Sequence, residues 1–343
     1  MKAMILCAGL GTRLRPVTTV WPKPAIPLLG QPLLRYALAT LTRGGITAVG
    51  INTHHLPQVM RTVASAECAR AGVPLTVVDE PLEIQGTGGG IRGLTSFLSS
   101  GDFVVMNGDV LFGLELGPVL EAHRASGAAA SMVLLPMPDN EKYNPVEVAA
   151  DGSVRRIAGH GPGGDGLVPW HFSGVHVMSP KVLEFMAPHG AEDINRDVYP
   201  RLMAAGLTVH GHALQQPSVS WSDLGTPARY AATHQSLLFG QISMTPFGGA
   251  SPFSGTVKGA GNYHAHPSAQ LRDVRVSGPA WFGEGCELGE GVRIGAAVSV
   301  GVGAKVGAKA MLNRVAVLDG AVVEPGVLIE DSLVAPGGLI VPY

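Results

Sequence analysis

Gly9, Gly11, Thr12, Arg13 and Lys23 crowd into the first 27 positions of a 343-residue chain, and their types suit the holding of an anion with many oxygens. The run is Gly9-Leu10-Gly11-Thr12-Arg13-Leu14-Arg15-Pro16, then Trp21-Pro22-Lys23-Pro24-Ala25-Ile26-Pro27. Glycines let backbone N–H groups turn toward an anion, Thr12 adds a hydroxyl, and a guanidinium such as Arg13 forks onto phosphate oxygens. Lys23 stands between two prolines, each of which fixes its own backbone angle, so its ammonium is a point charge on a stiff stem. Taken singly, Arg13 and Lys23 read as solvated surface charges. Set in this glycine and proline frame, they read as a cradle for a polyphosphate. Two other phosphate patterns are excluded. A GxGxxG dinucleotide fingerprint needs glycine where Leu14 stands, and no GK[ST] follows for a Walker loop.

Carboxylates come next. Val104-Val105-Met106-Asn107-Gly108-Asp109 is an apolar strand ending in an acid, and Asp223 lies in Trp221-Ser222-Asp223-Leu224-Gly225-Thr226-Pro227. A carboxylate at the carboxyl edge of a sheet can hold Mg²⁺, which takes one or two carboxylates plus phosphate oxygens. Read alone, Asn-Gly-Asp is also an ordinary polar turn, and Asp223 also suits an N-cap or Asx-turn. Glu80-Pro81-Leu82-Glu83-Ile84-Gln85-Gly86-Thr87-Gly88-Gly89-Gly90 offers the Gln85 amide and the bare backbone of Gly86 as hydrogen-bonding groups. A glycine-rich helix start reads equally well. The twelve histidines are scattered. Their close pairs, His54-His55 and His264-x-His266, lack the HExxH form and read as solvated or capping. Cys7 reads as a small packing residue, since no motif brings it a base.

These residues need a frame. Apolar runs at Met4–Leu6, Ala48–Asn52, Leu75–Val78, Phe103–Met106 and Ala130–Leu135 predict strands. Helical patterns fall at Pro32–Arg43, Met60–Ala71 and Leu116–Ser126. The first carries Leu33, Leu34, Ala37, Leu38 and Leu41 on one stripe and is stopped by Gly44 and Gly45. This β-α rhythm predicts a Rossmann-like, mostly parallel α/β sheet covered on both faces. Ligands then sit beyond the carboxyl ends of the strands, at the loops after Leu6 and Met106.

Residues 241–270 hold a single formal charge, Lys258, and read as a linker. Beyond it Val276, Phe282, Leu288, Ile294, Val300, Val306 and Leu312 recur six apart. Glycine follows five of them in succession, from Gly283 to Gly307. The register slips by one and resumes at Val317, Val323, Ile329, Ala335 and Val341. A six-residue apolar period predicts a left-handed parallel β-helix of about four coils. The expected organisation is an α/β domain over 1–240, a linker over 241–270 and the β-helix over 271–343.

Composition narrows the classes further. With 46% apolar residues the chain can fill two cores, and 24 basic against 26 acidic residues leave no electrostatic footprint for nucleic acid. Glycine, 47 residues, is about twice its usual share without a collagen period. No apolar stretch is long enough to span a membrane, and the run Ala3–Leu10 is too short for a secretory leader. Cys7, Cys68 and Cys286 form neither a disulfide framework nor a CxxC pattern, so a cytoplasmic protein is expected. The open strand ends of a β-helix make a homo-oligomer the expected assembly.

The segment AGLGTRLRPVTTVWPKPAIPLLGQPLL closely resembles the signature GxGTRLxPxTxxxPKPxxP that opens the sugar-1-phosphate nucleotidylyltransferases. The resemblance covers roughly residues 1–240, which it implies are the nucleotidyltransferase domain, and hexapeptide-repeat tails recur in the same family. It implies transfer of a nucleotidyl group from a nucleoside triphosphate to a sugar 1-phosphate. Ala8, Gly9, Gly11, Thr12 and Gly108 would then line the nucleotide, with Gln85, Gly86 and Thr87 at the base. Asp109 and Asp223 match the family's two metal-binding aspartates, with Mg²⁺ as the implied cofactor. Arg13 would act on the departing pyrophosphate and Lys23 on the α-phosphate. Phe172-Ser173-Gly174-Val175-His176-Val177 is similar to the strand whose glycine, here Gly174, lies against the sugar. Two departures stand out. Glu83 to Gln85 are extra residues in the base loop. The family's usual E-K-P segment is missing, and Arg155-Arg156-Ile157-Ala158-Gly159-His160 falls in its place; Arg155, Lys142 and His171 are candidates for the absent lysine. The β-helix tail resembles mannose-1-phosphate guanylyltransferases, which make GDP-mannose. The TGGG loop and the missing E-K-P resemble uridylyltransferases for other sugar 1-phosphates, such as N-acetylmuramate 1-phosphate. A non-catalytic, nucleotide-sugar-binding regulatory subunit is the third reading, and a β-helix acetyltransferase is disfavoured because no histidine follows His266.

Overall fold

Short, wholly apolar stretches bounded by glycine turns cannot form amphipathic helices, and here they form the buried strands of a sheet. The computed structural model describes residues 1–138, 143–214 and 221–343. Tertiary contacts divide the chain into two units, each assembled from three stretches. The first holds Met1–Leu10, Ala37–Gly108 and Leu114–Trp221, and the second Gly11–Tyr36, Asp109–Gly113 and Ser222–Tyr343. Segments distant in sequence thus share a unit.

In the first unit, strands β1 (Lys2–Leu6), β2 (Ala48–Thr53), β3 (Leu75–Asp79) and β4 (Phe103–Asn107) are parallel, in the spatial order β3-β2-β1-β4. Helices α1 (Leu33–Arg43) and α2 (Pro57–Ala71) lie between β1 and β3 in the chain. All five residues of the predicted α1 stripe are buried. The strands β5 (Ala130–Leu135) and β6 (Val168–Met178) extend the sheet, with Val209–Ala213 parallel to β5. Strand β6 runs antiparallel to both β4 and β5, so the sheet is mixed rather than uniformly parallel. Its register with β5 breaks between Phe172 and His176. Gly174 sits in that break at φ +90°, a conformation that suits glycine. The core packs Met4, Phe103, Val105, Met132, Leu134 and Met178 against Ile91, Val198, Tyr199 and Leu202.

The second unit contains the repeat. Short parallel strands stack in three ladders. One runs Gln270, Glu287, Lys305, Val322; a second runs Arg275, Arg293, Met311, Leu328; a third pairs Tyr263 with Ala280 and Ala280 with Val298. Each coil therefore advances 17 or 18 residues, as three hexapeptides require. The predicted inward residues from Phe282 to Ala335 are all buried. The one-residue slip between Leu312 and Val317 falls where Arg314 takes φ +53°. Ala297 and Asp331 take the same left-handed conformation one coil away on either side, and Arg314 and Asp331 form an ion pair. One expectation is corrected: the period was read as parallel coil through Val341, but Leu339–Pro342 folds back antiparallel on Leu328–Ala335. Val257–Gly259 likewise runs antiparallel to Tyr263–Ala265 at the other end.

Candidate functional site

In the second unit, Gly11 at φ +60° opens a single 3₁₀ turn over Thr12–Leu14. A Cβ at Gly11 would come within 2.7 Å of the Thr18 methyl, so only glycine lets these turns close together. Thr12 and Arg13 are exposed. After a 3₁₀ turn at Val17–Thr19, Lys23 opens another, Lys23–Ala25, and is buried. Its ammonium donates to Asp109 Oδ2 at 2.5 Å. Asp109 directly precedes Val110–Phe112, which pairs with the strand ending at Asp223. The Leu224 N–H donates to the Asp109 carbonyl at 3.2 Å. The two acids, 114 positions apart in the sequence, are thus held at adjoining points of two paired strands. Asp223 Oδ2 accepts from Arg229, while its Oδ1 is buried with no hydrogen-bond partner. Gly225 makes room for this arrangement: a Cβ there would meet Asp223 Oδ1 at 2.5 Å and Arg13 Nη2 at 3.0 Å. Lys23, Asp109, Asp223 and Arg13 therefore belong to one constellation.

Among the described residues no cluster of three or more His, Cys, Asp or Glu side chains could hold a metal. Two carboxylates, one with a buried unpartnered oxygen, still fit a hard cation whose remaining ligands are substrate oxygens and water. An oxygen in that state is costly unless something occupies its lone pairs.

In the first unit, the Gly108 N–H donates to the Leu6 carbonyl at 3.1 Å, so the loops after β1 and β4 leave the sheet side by side. Ala8 is buried, and a Cβ at Gly9 would meet open space. Buried Asn52, at the end of β2, accepts from the Cys7 N–H at 2.9 Å and donates to Glu80 at 2.6 Å. Glu80 in turn accepts from the Gln85 N–H at 2.8 Å. This relay ties the anion loop to the expected base loop. Sequence reading missed Asn52, whose only signal was a polar residue in an otherwise apolar strand. The base loop itself is tightly engaged. The Gln85 side chain donates to the Glu83 carbonyl at 2.7 Å and accepts from Arg92 at 3.1 Å. Gly86, at φ +69°, has the Glu192 carbonyl where a Cβ would stand. Thr87 Oγ1 pairs with Asp193 Oδ2 and accepts the Ile194 N–H. A Cβ at Gly174 would press on Asn107 at 3.0 Å.

A cavity of about 500 Å³ in this unit is lined by Tyr143, Asn144, His160, His171, Phe172, Asn195 and Arg196, among others. Its wall is aromatic: the His171 ring lies 4.0 Å from Tyr143 and 4.7 Å from Trp221, centroid to centroid. The Trp221 indole is fixed by a 2.7 Å bond to the Ser173 carbonyl. Of the candidates for the missing lysine, His171 lines this cavity. Arg155 donates to the Gly163 carbonyl, and Lys142 lies outside the described residues.

Comparison with known proteins gives a consistent result. The nucleotidyl transferase family model matches residues 2–238. A UTP–glucose-1-phosphate uridylyltransferase from Synechocystis is 27% identical over 296 residues, covering 82% of this chain and 74% of that protein. A mannose-1-phosphate guanylyltransferase from Mycobacterium tuberculosis is 30% identical over 242 residues, 70% of this chain and 65% of that protein. A D-glycero-alpha-D-manno-heptose 1-phosphate guanylyltransferase from Aneurinibacillus thermoaerophilus is 30% identical over 184 residues, 54% of this chain and 77% of that protein.

Proposed function

Because the chain belongs to the nucleotidyl transferase family, we propose that it transfers a nucleotidyl group from a nucleoside triphosphate to a sugar 1-phosphate, releasing pyrophosphate. The observation that carries this reading is the constellation of Lys23, Arg13, Asp109 and Asp223 in one unit. Such a transfer needs positioning and charge neutralisation more than covalent chemistry. A phosphate oxygen of the sugar 1-phosphate attacks the α-phosphorus in line, and the bond to the bridging oxygen of pyrophosphate breaks. Lys23 neutralises the growing charge on the α-phosphate, and Arg13 the charge on the departing pyrophosphate. Asp109 and Asp223 would hold Mg²⁺, which supplies Lewis-acid charge and a template for the two phosphates. The Lys23–Asp109 pair holds the ammonium beside the carboxylate that would take the metal, which fixes its position in the site.

GDP-mannose synthesis from GTP and mannose 1-phosphate is the preferred reaction; the mycobacterial relative, named for mannose 1-phosphate, supports it. The second reading, a uridylyltransferase, draws on the Gly88-Gly89-Gly90 run and on the Synechocystis relative. His171 is our candidate for the sugar-phosphate contact that the absent lysine would make, because it lines the aromatic cavity. The three free thiols support a cytoplasmic location. Exposed Leu328, Leu339 and Ile340 at the last coil support a homo-oligomer formed through the β-helix. The test is pyrophosphate release by the purified protein, scanned over four triphosphates and a panel of sugar 1-phosphates. Release with GTP and mannose 1-phosphate is expected, and His171→Ala should raise KM for the sugar phosphate at least fivefold. No release with any pair would refute the reaction.

A further inference from the structure

The catalytic constellation and the β-helix fall in one unit, and a single helix joins them. This helix, Pro227–Leu238, is capped by Thr226, and three of its polar contacts bear on the site and the coils. Arg229 pairs with Asp223. The Tyr230 hydroxyl donates to the Pro27 carbonyl at 2.5 Å, four residues after Lys23. His234 Nε2 meets Ser299 Oγ at 2.8 Å, on the β-helix strand Val298–Val300. Tyr230 and His234 are fully buried, and their rings lie nearly parallel, 6.4 Å apart.

A second set of contacts reaches the same turn. Pro27–Leu28 and Gln31–Pro32 form a two-residue hairpin whose tip, Leu29 and Gly30, has φ of +50° and +66°. Paired positive angles mark a tight primed turn. A Cβ at Gly30 would lie 2.5 Å from the Trp281 ring and 3.2 Å from Val302. The hairpin tip is therefore seated on the coils, and Trp281 is fixed by a 2.9 Å bond to the Pro252 carbonyl. The Tyr36 hydroxyl closes the hairpin from within, at 2.9 Å from the Leu28 carbonyl.

We propose that the β-helix is the floor of the catalytic cradle, and that Tyr230 is a positioning residue that fixes Lys23 by holding the Pro27 carbonyl. Pro22 and Pro24 have stiff backbones, but the three-residue turn Lys23–Ala25 cannot orient itself. Its own bonds are Ala25 N–H to Pro22 and Ile26 N–H to Lys23. Anchoring at Pro27, with the hairpin tip wedged on Trp281, converts a short turn into a rigid mount. A misplacement of about 1 Å at such a mount costs on the order of 100-fold in rate. His234 and Ser299 carry the coupling one step further, so a change in the coils reaches the ammonium through a continuous packed path.

The kinetic part rests on the nucleotidyl-transfer reading, and the mechanical part does not, so the experiment has two arms on the full-length protein. In the first, hydrogen exchange is compared between wild type, Tyr230→Phe and Ser299→Ala. Tyr230→Phe should speed exchange of the Ala25, Ile26 and Leu33 amides at least tenfold and Ser299→Ala about threefold. The Ala48–Thr53 strand should not change in either variant. In the second arm, Tyr230→Phe is made in wild-type and Lys23→Ala backgrounds. Turnover should fall at least tenfold in the first and less than twofold in the second, since a misplaced ammonium matters only where there is one. Equal losses in both backgrounds would mark a merely structural tyrosine and overturn the positioning role. Unchanged exchange at 25–33 in both variants would overturn the coupling. A wild type that releases no pyrophosphate with any substrate pair would refute the reaction, and the exchange arm then decides the coupling alone.

Discussion

Gly225 offers the sharpest probe of the carboxylates proposed to hold the metal, because its backbone is ordinary and only its missing side chain matters. A Cβ added there would stand 2.5 Å from Asp223 Oδ1, against about 3.4 Å for a comfortable contact. In Gly225→Ala the carboxylate oxygen must therefore retreat by roughly 0.9 Å, with Arg13 shifting by a smaller amount. Asp223 Oδ2 stays tethered to Arg229, so the carboxylate rotates rather than leaves. A displacement of that size at a reacting centre costs on the order of 100-fold, about 2.7 kcal/mol of barrier. The fold loses little, since one buried side-chain tip moves and no backbone bond breaks. The expected result is a 10- to 100-fold fall in pyrophosphate release, a rise in the Mg²⁺ concentration for half-maximal rate, and a melting temperature within about 3 °C of wild type. Wild-type turnover with unchanged Mg²⁺ dependence would show that Asp223 Oδ1 and Arg13 are not where the chemistry happens.

Acid should weaken the fold through two histidines. Burial pushes His176 and His234 down to about 3, while the unfolded chain titrates near 6.5. Between those values the unfolded chain binds more protons, so stability is complete above about pH 6.5 and falls as pH drops. Each residue contributes a loss of about 2 kcal/mol by pH 5, read by thermal melts, and His234→Gln should flatten the slope. Asp319 works in the opposite direction. Burial raises its carboxyl from 3.8 to about 6, so stability falls as pH rises from about 4 to 6 and stays lowered above that. Asp319→Asn keeps an acceptor for the Val302 N–H and should add about 1–2 kcal/mol at pH 7.5, with no gain at pH 4. Asn52→Ala removes the acceptor from the Cys7 N–H and the donor from Glu80. It should cost about 2–4 kcal/mol in denaturant melts, with the anion and base loops losing exchange protection together.

Much of this was legible in the sequence, for identifiable reasons. The α1 stripe and the six-residue period are set by burial, which writes itself into spacing. Leu33 to Leu41 and Phe282 to Ala335 all face cores as expected. The pairing of Asp109 with Asp223 came from family resemblance; no local pattern reveals that the strands carrying them are neighbours. The return strand Leu339–Pro342 escaped notice because Val341 happens to keep the apolar period while the chain reverses at Gly337 and Gly338, both at positive φ. Asn52, Arg229 and Tyr230 also escaped notice. Each acts through hydrogen bonds to partners 6 to 203 residues away, and such bonds leave no periodic trace. The division into units was hidden for the same reason: Gly11–Tyr36 packs with coils that follow it by some 250 residues.

The central claim is that Asp109 and Asp223 hold one divalent ion beside Lys23. Crystals of the protein grown with triphosphate and Mn²⁺, phased on the manganese, test it directly. The account predicts a single strong anomalous peak about 2.1 Å from a carboxylate oxygen of each aspartate, lost in Asp223→Asn. A peak bound by neither aspartate, or one that persists unchanged in Asp223→Asn, would contradict it.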